Sequence, residues 1–509
     1  MGAIGRRTFM AALGGTAMGA AVLPGLALGA AAPQGDGARP KPLVTKKPLI
    51  VQPALVYHVP VRQEKTSWRG WGGLHTQADA DAEINRIGEE LAAMAKDLEF
   101  PLEIRPVAHA RHPGEADTLR AGDHDLMLIY GASGGGDTIE HLIDPAKFNL
   151  MFVRHKSGPV YLWYEIVSPR MMRKTVDELG QPGLLPEDVV VDEYADIAWR
   201  MRALYALKNT VGSKIVCVGG ASGWGDGGQK APAIAAETWK MQLIDQSYDD
   251  LGPRIVAARQ DAARVARAEA AAKAYLADAG ITLETDGGYV TRAFILAEVF
   301  EEIMAENEAQ AITVNNCMGT IMPLADTTAC LTLTLINDAG LLAFCESDFV
   351  VIPSGILLHH IASLPVFLND PTYPHHGQIT LAHCTAPRRM DSKTLEPARI
   401  LTHFESDFGA APKVAMKLGQ KVTVLDPDFN NAKWIGFTGD ILDNPFLDIC
   451  RSQVDVSIEG DCDLLAREMK GFHWMLAYGD HLKETGYALS KLGVDFLNLS
   501  KGAQGTVSA

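Results

Sequence analysis

The run Leu342-Ala343-Phe344-Cys345-Glu346-Ser347-Asp348 ends an apolar stretch on two carboxylates. If the extended period of two persists beyond Cys345, Glu346 and Asp348 leave the strand end with both side chains on one side. Paired carboxylates suit a hard divalent cation, and a histidine added to the set shifts the preference toward a manganese-like ion. Histidines are concentrated in the last third of the chain, where His359, His360, His375, His376, His383, His403, His473 and His481 make eight of the fifteen. His383 precedes Cys384 at a strand end, and His473 lies in Gly471-Phe472-His473-Trp474, just ahead of a closing helix. Taken singly, the acidic pair also fits a solvated turn and each histidine a structural position, because spacing alone does not bring them together.

The elements that must position these residues alternate strand and helix. Residues 48–59 and 102–108 are strand-like, while 78–98 carries Ile84, Ile87, Leu91 and Met94 at helical spacing. Two further strands, 125–130 and 214–218, run directly into glycine-rich turns, as strands of an open parallel sheet do. Helices are expected at 193–207, 254–279 and 290–308, and a strand at 311–315. After about residue 370 the pattern changes to short β-rich runs at 377–384, 398–404, 414–418, 420–425, 433–438 and 449–458, separated by Gly, Asp, Asn and Pro. The expected fold is α/β: two Rossmann-like parallel-sheet domains, 48–210 and 211–370, and a β-rich, barrel-like C-terminal domain, 371–509, with a closing helix at 480–492 and a strand at 495–499. Gly223-Trp224-Gly225-Asp226-Gly227-Gly228 formally matches a dinucleotide fingerprint. It starts several residues past its strand and carries a bulky Trp where backbone must approach pyrophosphate, so it reads instead as a loop lining the mouth of a sheet.

Composition sets the outer limits. The chain has 509 residues, of which 47% are hydrophobic and 21% charged, which is globular and long enough for several domains. Lys and Arg number 46 against 62 Asp and Glu, and a net charge of -16 argues against nucleic acid or an anionic membrane as partner. Residues 1–32 hold two charges, Arg6 and Arg7, followed by a weakly apolar run rich in Gly and Ala. This resembles a twin-arginine export signal and implies delivery to the periplasm, with no stable membrane insertion after cleavage. Residues 33–47 form an extended lead-in. Seven cysteines, odd in number and without CxxC spacing, read as reduced core thiols rather than a disulfide framework.

Three stretches, Leu335 to Asp348, the His383-Cys384 pair, and His473 with Tyr478-Gly479-Asp480, resemble the L-fucose isomerase and L-arabinose isomerase superfamily. The resemblance covers about residues 312–500 and implies two Rossmann-like domains before a β-barrel-like domain, assembled as a homotrimer or hexamer. It further implies a divalent metal, most often Mn2+, held by two acidic residues and a histidine, and interconversion of aldose and ketose on a small carbohydrate. Carried to this chain, Asp348 and Glu346 are the catalytic candidates, Glu346, Asp348 and His473 the metal ligands, and His383 and Arg388 the substrate contacts. Many relatives read Cys-Trp-Pro-Glu where this chain has Cys317-Met318-Gly319-Thr320, and a threonine hydroxyl neither ligates well nor acts as a base at neutral pH. Asp326 is the candidate replacement acid, although it also suits a helix N-cap.

Two other readings stand beside the isomerase. Trp68, Trp71 and His75 offer faces on which sugar rings stack, with Trp71 as a substrate-binding candidate, consistent with a noncatalytic periplasmic carbohydrate-binding protein. The same acidic and histidine ligands also serve a metal-assisted epimerase, lyase or hydrolase acting on a sugar.

Overall fold

A computed structural model describes residues 46–167 and 183–502. The arginine pair, the apolar run behind it and most of the lead-in lie outside the described residues. Those described divide into two compact units, 46–208 and 209–502.

In the first unit, β1 (Leu49–Val56), β2 (Leu102–Ile104), β3 (Ala108–Ala110), β4 (Leu126–Gly131), β5 (Phe148–Val153) and β6 (Val189–Val191) form one sheet in the order β2-β1-β4-β5-β6, with β3 beside β1 beyond the end of β2. Every pairing is parallel. All of β4 and β5 is buried, as strands covered by helices on both faces must be, which is why they read as unbroken apolar runs. The helix Gln77–Ala95 starts at a capping box, Thr76 accepting from Asp79 N while Asp79 accepts from Thr76 N, and turns Ala80, Ile87 and Leu91 inward.

The second unit starts with β7 (Lys214–Val218), β8 (Gln242–Gln246), β9 (Ile281–Leu283), β10 (Ala311–Val314) and β11 (Leu342–Cys345). Four of these make a parallel sheet in the order β11-β10-β7-β8. Strand order reverses between β7 and β10, and in open parallel sheets ligands collect beyond the carboxyl ends at such a reversal. The single helix expected at 254–279 is two, Tyr248–Gln260 and Ala262–Leu276. Asp261 leaves helical geometry at ψ 105° and caps the second helix by accepting from Ala263 N and Arg264 N.

The chain continues through β12 (Phe367–Pro371), β13 (Gln378–His383), β14 (Ala398–Leu401), β15 (Ala411–Val414), β16 (Lys421–Pro427), β17 (Lys433–Asp443), β18 (Ser452–Ser457), β19 (Trp474–Tyr478) and β20 (Asp495–Asn498). Six strands close into an antiparallel barrel, β16-β19-β12-β13-β18-β17, with β17 returning to β16. β20 adds to β17 in parallel, and β9, β14 and β15 form a separate small sheet. The 11 residues of β17 serve both neighbours because the register shifts between Ile441 and Asp443, where a bulge bends the strand. At Gly439 the strands approach so closely that a Cβ would lie 1.7 Å from Ser457 O. Alternate residues such as Val422, Val424, Ile435, Phe437, Val454 and Val456 fill the interior, since six strands enclose room for side chains and no more. Two parallel α/β sheets followed by a barrel is the expected fold class. The strand expected at 414–418 lies earlier, at Ala411–Val414, and pairs with β14 outside the barrel.

Candidate metal and substrate site

Because β12 lies between β13 and β19, three side chains meet at one rim of the barrel. Asn369 is in register with Trp474, and Asp370 with Ala382. Asp370 therefore stands between His383, the last residue of β13, and His473, the residue before β19. One carboxylate oxygen of Asp370 and one ring nitrogen from each histidine lie within 4.8 Å of one another. Glu346 reaches the same place from the end of β11, with Oε1 3.7 Å from His383 Nε2 and Oε2 3.5 Å from His473 Nε2. His473 Nε2 is 3.2 Å from Asp370 Oδ1. The ligand atoms of Cys345, Glu346 and His383 form an overlapping group of the same span.

Glu346 and Asp348 do not share a strand face as expected. β11 stops at Cys345, and Glu346 (φ 64°) and Ser347 (φ 49°) both enter the left-handed region. Two successive non-glycine residues there cost roughly 1–3 kcal/mol each, a strain that persists only where the surroundings impose it. Those surroundings are visible: Ser347 N donates to Thr313 Oγ1, Ser222 N to Ser347 O, and Phe349 N to Ser222 O. The turn sends the two carboxylates to different nitrogens of one imidazole.

Asp348 is fully buried, its Oδ2 is 2.8 Å from His473 Nδ1, and its Oδ1 accepts from Trp224 N and Val350 N. Both oxygens are thus engaged behind the histidine, and it is Asp370, not Asp348, that faces its Nε2. An ionised carboxylate only accepts, so the Nδ1 facing it carries the proton and Nε2 is presented to the site. Thr385 Oγ1, 3.3 Å from His383 Nδ1, is the hydrogen-bond partner of the second imidazole.

Burial works to raise the Glu346 carboxyl, but the imidazoles of His383 and His473 outweigh it and hold it well below the usual carboxylate range. Burial likewise opposes charge on His473, yet Asp348, Glu346 and Asp370 together raise it to about 10. His383 is raised for the same reason, Glu346 and Asp370 overcoming burial. Asp370 is itself raised, chiefly by burial. Imidazole protons thus balance three carboxylates, a task that one divalent cation performs while expelling them. The donor set fits such an ion. His383 Nε2, His473 Nε2 and Asp370 Oδ1 are buried with no hydrogen-bond partner among the described residues, and each faces the others. Mixed carboxylate and imidazole ligation suits manganese-like cations.

The glycine-rich loop after β7 completes the site. Gly223 and Gly228 lie back to back, so that a Cβ on Gly223 would meet Gly228 O at 2.1 Å. This contact folds the loop so that Trp224 Nε1 donates to Glu346 Oε2. The Trp224 ring stacks on Phe472 at 4.4 Å and 7°, and both rings are about half exposed at the rim. Opposite them, Asp426 accepts from Lys470 N and Gly471 N and anchors the turn that carries Phe472 and His473.

Other expected site residues stand elsewhere. Arg388 is fully buried, paired with Asp278 at 2.9 Å and lying over the Tyr275 ring, so it is a structural cation and not a substrate contact. Asp326 is neither replacement acid nor N-cap. It closes the short helix Met322–Ala325 in left-handed geometry, pairs with Arg259 and Arg292, and leaves Thr328 to cap the next helix. Thr320 lies in a π-turn, accepting from Asn316 Nδ2. Trp71 is exposed on the first unit, in the segment after β1. Asp370, Trp224 and Phe472 are the participants that sequence reasoning missed. In comparisons with known proteins, no family model and no curated protein matches the chain.

Proposed function

We propose that the chain is a metal-dependent sugar isomerase, similar in chemistry to the L-fucose and L-arabinose isomerases, acting on an open-chain carbohydrate and exported by a twin-arginine-type signal. The observation that carries this reading is the meeting of Glu346, Asp370, His383 and His473, which brings together three buried polar atoms that lie against one another without a hydrogen bond. Glu346, Asp370 and His473 would hold the cation, with His383 beside it. A divalent ion there supplies Lewis-acid polarisation of a carbonyl and offsets the negative charge of an enediolate. The protein supplies the proton transfer: a carboxylate of the pair Glu346 and Asp370 takes the proton from C2 of an α-hydroxy aldehyde and returns it to C1, while the hydroxyl proton passes from O2 to O1. The stacked Trp224 and Phe472 give the C–H face of a sugar an apolar platform, and Trp224 Nε1 keeps Glu346 in place.

The test is metal analysis of the purified protein together with deuterium uptake, at C1 of the ketose formed from an aldose and at C2 of the aldose formed from a ketose, on incubation in deuterated water. We expect one manganese-class ion per chain at this site and sugar-dependent uptake, both lost in Glu346→Gln and Asp370→Asn, with turnover down by about 10²–10⁴-fold. A wild-type protein whose metal content is unchanged by both substitutions would overturn the reading. The exposed aromatic platform also favours a second reading, a carbohydrate-binding protein without turnover, which sugar-dependent stabilisation without deuterium uptake would select.

A further inference from the structure

Next to His383 in the chain, Cys384 begins a second cluster. Its Sγ, the Cys330 Sγ and one ring nitrogen of His403 all lie within 4.8 Å of one another. The Cys384 thiol also contacts that of Cys450, and Ala411 packs with Cys330 and Cys384. Cys330 and Cys384 are each 3% exposed and His403 7%, whereas Cys450 is partly exposed and gives the cluster an opening. The four residues come from unconnected places: the first turn of the helix Ala329–Asp338, the end of β13, the turn after β14, and the loop before β18. A single buried cysteine behaves as a small hydrophobe. Two cysteines and an imidazole meet at one point and a third cysteine touches one of them, which together can supply a tetrahedral soft-metal donor set.

We infer that Cys330, Cys384, Cys450 and His403 form a structural site for a zinc-class cation, separate from the acidic site. A Zn–S bond of about 2.3 Å in tetrahedral geometry places ligand atoms roughly 3.7 Å apart, inside the 4.8 Å span of Cys330, Cys384 and His403, with Cys450 joining through its contact with Cys384. Neighbouring thiols and burial raise all three cysteines, so the cation itself would displace their protons, and two local features work against the burial. Cys330 stands in the first turn of a helix, where the helix dipole stabilises negative charge. The backbone N–H of Arg451 donates to the Cys384 sulfur, and the Arg451 guanidinium, held by Thr402 O at 2.7 Å, lies near His403. Ser406 Oγ, 3.4 Å from His403 Nδ1, braces the ring from the turn His403–Phe408. On binding, three thiols release protons to solvent and three metal–sulfur bonds and one metal–nitrogen bond form, with no electrons transferred. Three thiolates and a divalent ion leave one net negative charge, which Arg451 opposes. The site would tie β13, and with it His383, to the helix and loops behind the barrel.

The inference stands independently of the isomerase reading, and its test keeps the two apart. The full-length protein carrying Glu346→Gln and Asp370→Asn, which disables the acidic site, is purified under reducing conditions and assayed for metal. We expect it to retain one zinc per chain and, after exchange, to show cobalt(II)–thiolate charge-transfer absorption in the near ultraviolet. Cys330→Ser with Cys384→Ser should lose both signals. Because that variant removes core groups, Cys450→Ala is the milder check, with zinc affinity falling by at least the roughly 10–100-fold that follows loss of a group supporting a ligand. Zinc released from the Glu346→Gln, Asp370→Asn protein by a mercurial, read with a colorimetric chelator, tests the site without altering a cysteine. Absence of zinc from that protein after incubation with zinc would overturn the inference. So would an intact mass showing loss of two hydrogens and a Cys330–Cys384 or Cys384–Cys450 disulfide in the chain as purified.

Discussion

At the scale of residues, the division of labour between Asp348 and Asp370 is the sharpest consequence of the geometry. Asp348 touches only the far nitrogen of His473, and Asp370 the near one. Asp348→Asn should therefore weaken manganese affinity by about 10–100-fold, as losing the group behind a ligating histidine does, while stoichiometric binding at high metal survives. Asp370→Asn should abolish stoichiometric binding; calorimetric titration of both variants checks the difference. Arg388 gives a contrasting prediction. Removing a fully buried guanidinium strands Asp278 and the Glu396 carbonyl it bonds, so Arg388→Ala should cost roughly 3–5 kcal/mol in urea unfolding and leave metal content per folded molecule unchanged. Glu346, His383 and His473 were legible in the sequence because each ends or precedes a recognisable run. Asp370 was not, since Asn369-Asp370-Pro371 reads as a boundary between domains and only the pairing of β12 with both β13 and β19 gives it its neighbours.

At the scale of elements, the loop after β7 shows how a glycine pattern can be right in outline and different in purpose. Its glycines permit the loop to fold on itself and lift Trp224 to Glu346, with the Gly223 and Gly228 backbones in contact. Gly223→Ala should destabilise the protein by about 1–3 kcal/mol through that clash. It should also diminish any sugar-dependent rise in melting temperature while leaving metal content intact, because every ligand comes from another segment; thermal melts with and without sugar decide this. Helices were legible from their period, but the break at Asp261 was not, because an Asp at that position continues the polar face as plausibly as it caps a new helix. Barrel strands were legible as short β-rich runs between turn residues. Their order around the barrel was beyond reach, since it depends on long-range pairing that no local pattern encodes.

At the scale of the whole molecule, the two units carry different acid liabilities. In the first, His124 is buried with both ring nitrogens unpartnered among the described residues, and burial followed by the charges of Lys147 and Arg105 lowers it to about 4. The unfolded chain, with an ordinary imidazole near 6.5, then binds more protons than the folded chain between about pH 4 and 6.5. Stability from this group is fully present above about pH 6.5 and is lost as pH falls toward 4, by about 3 kcal/mol in all. His124→Leu should flatten that part of the urea-midpoint profile measured on the full chain. A last consequence concerns the order in which the chain is made. The candidate ligands span residues 346 to 473, and the last of them immediately precedes the penultimate strand of the fold. A ribosome must therefore finish almost the entire polypeptide before the site can exist, so no nascent or truncated chain competes for metal. Any cation the site takes up would be one supplied by the compartment in which the finished chain folds.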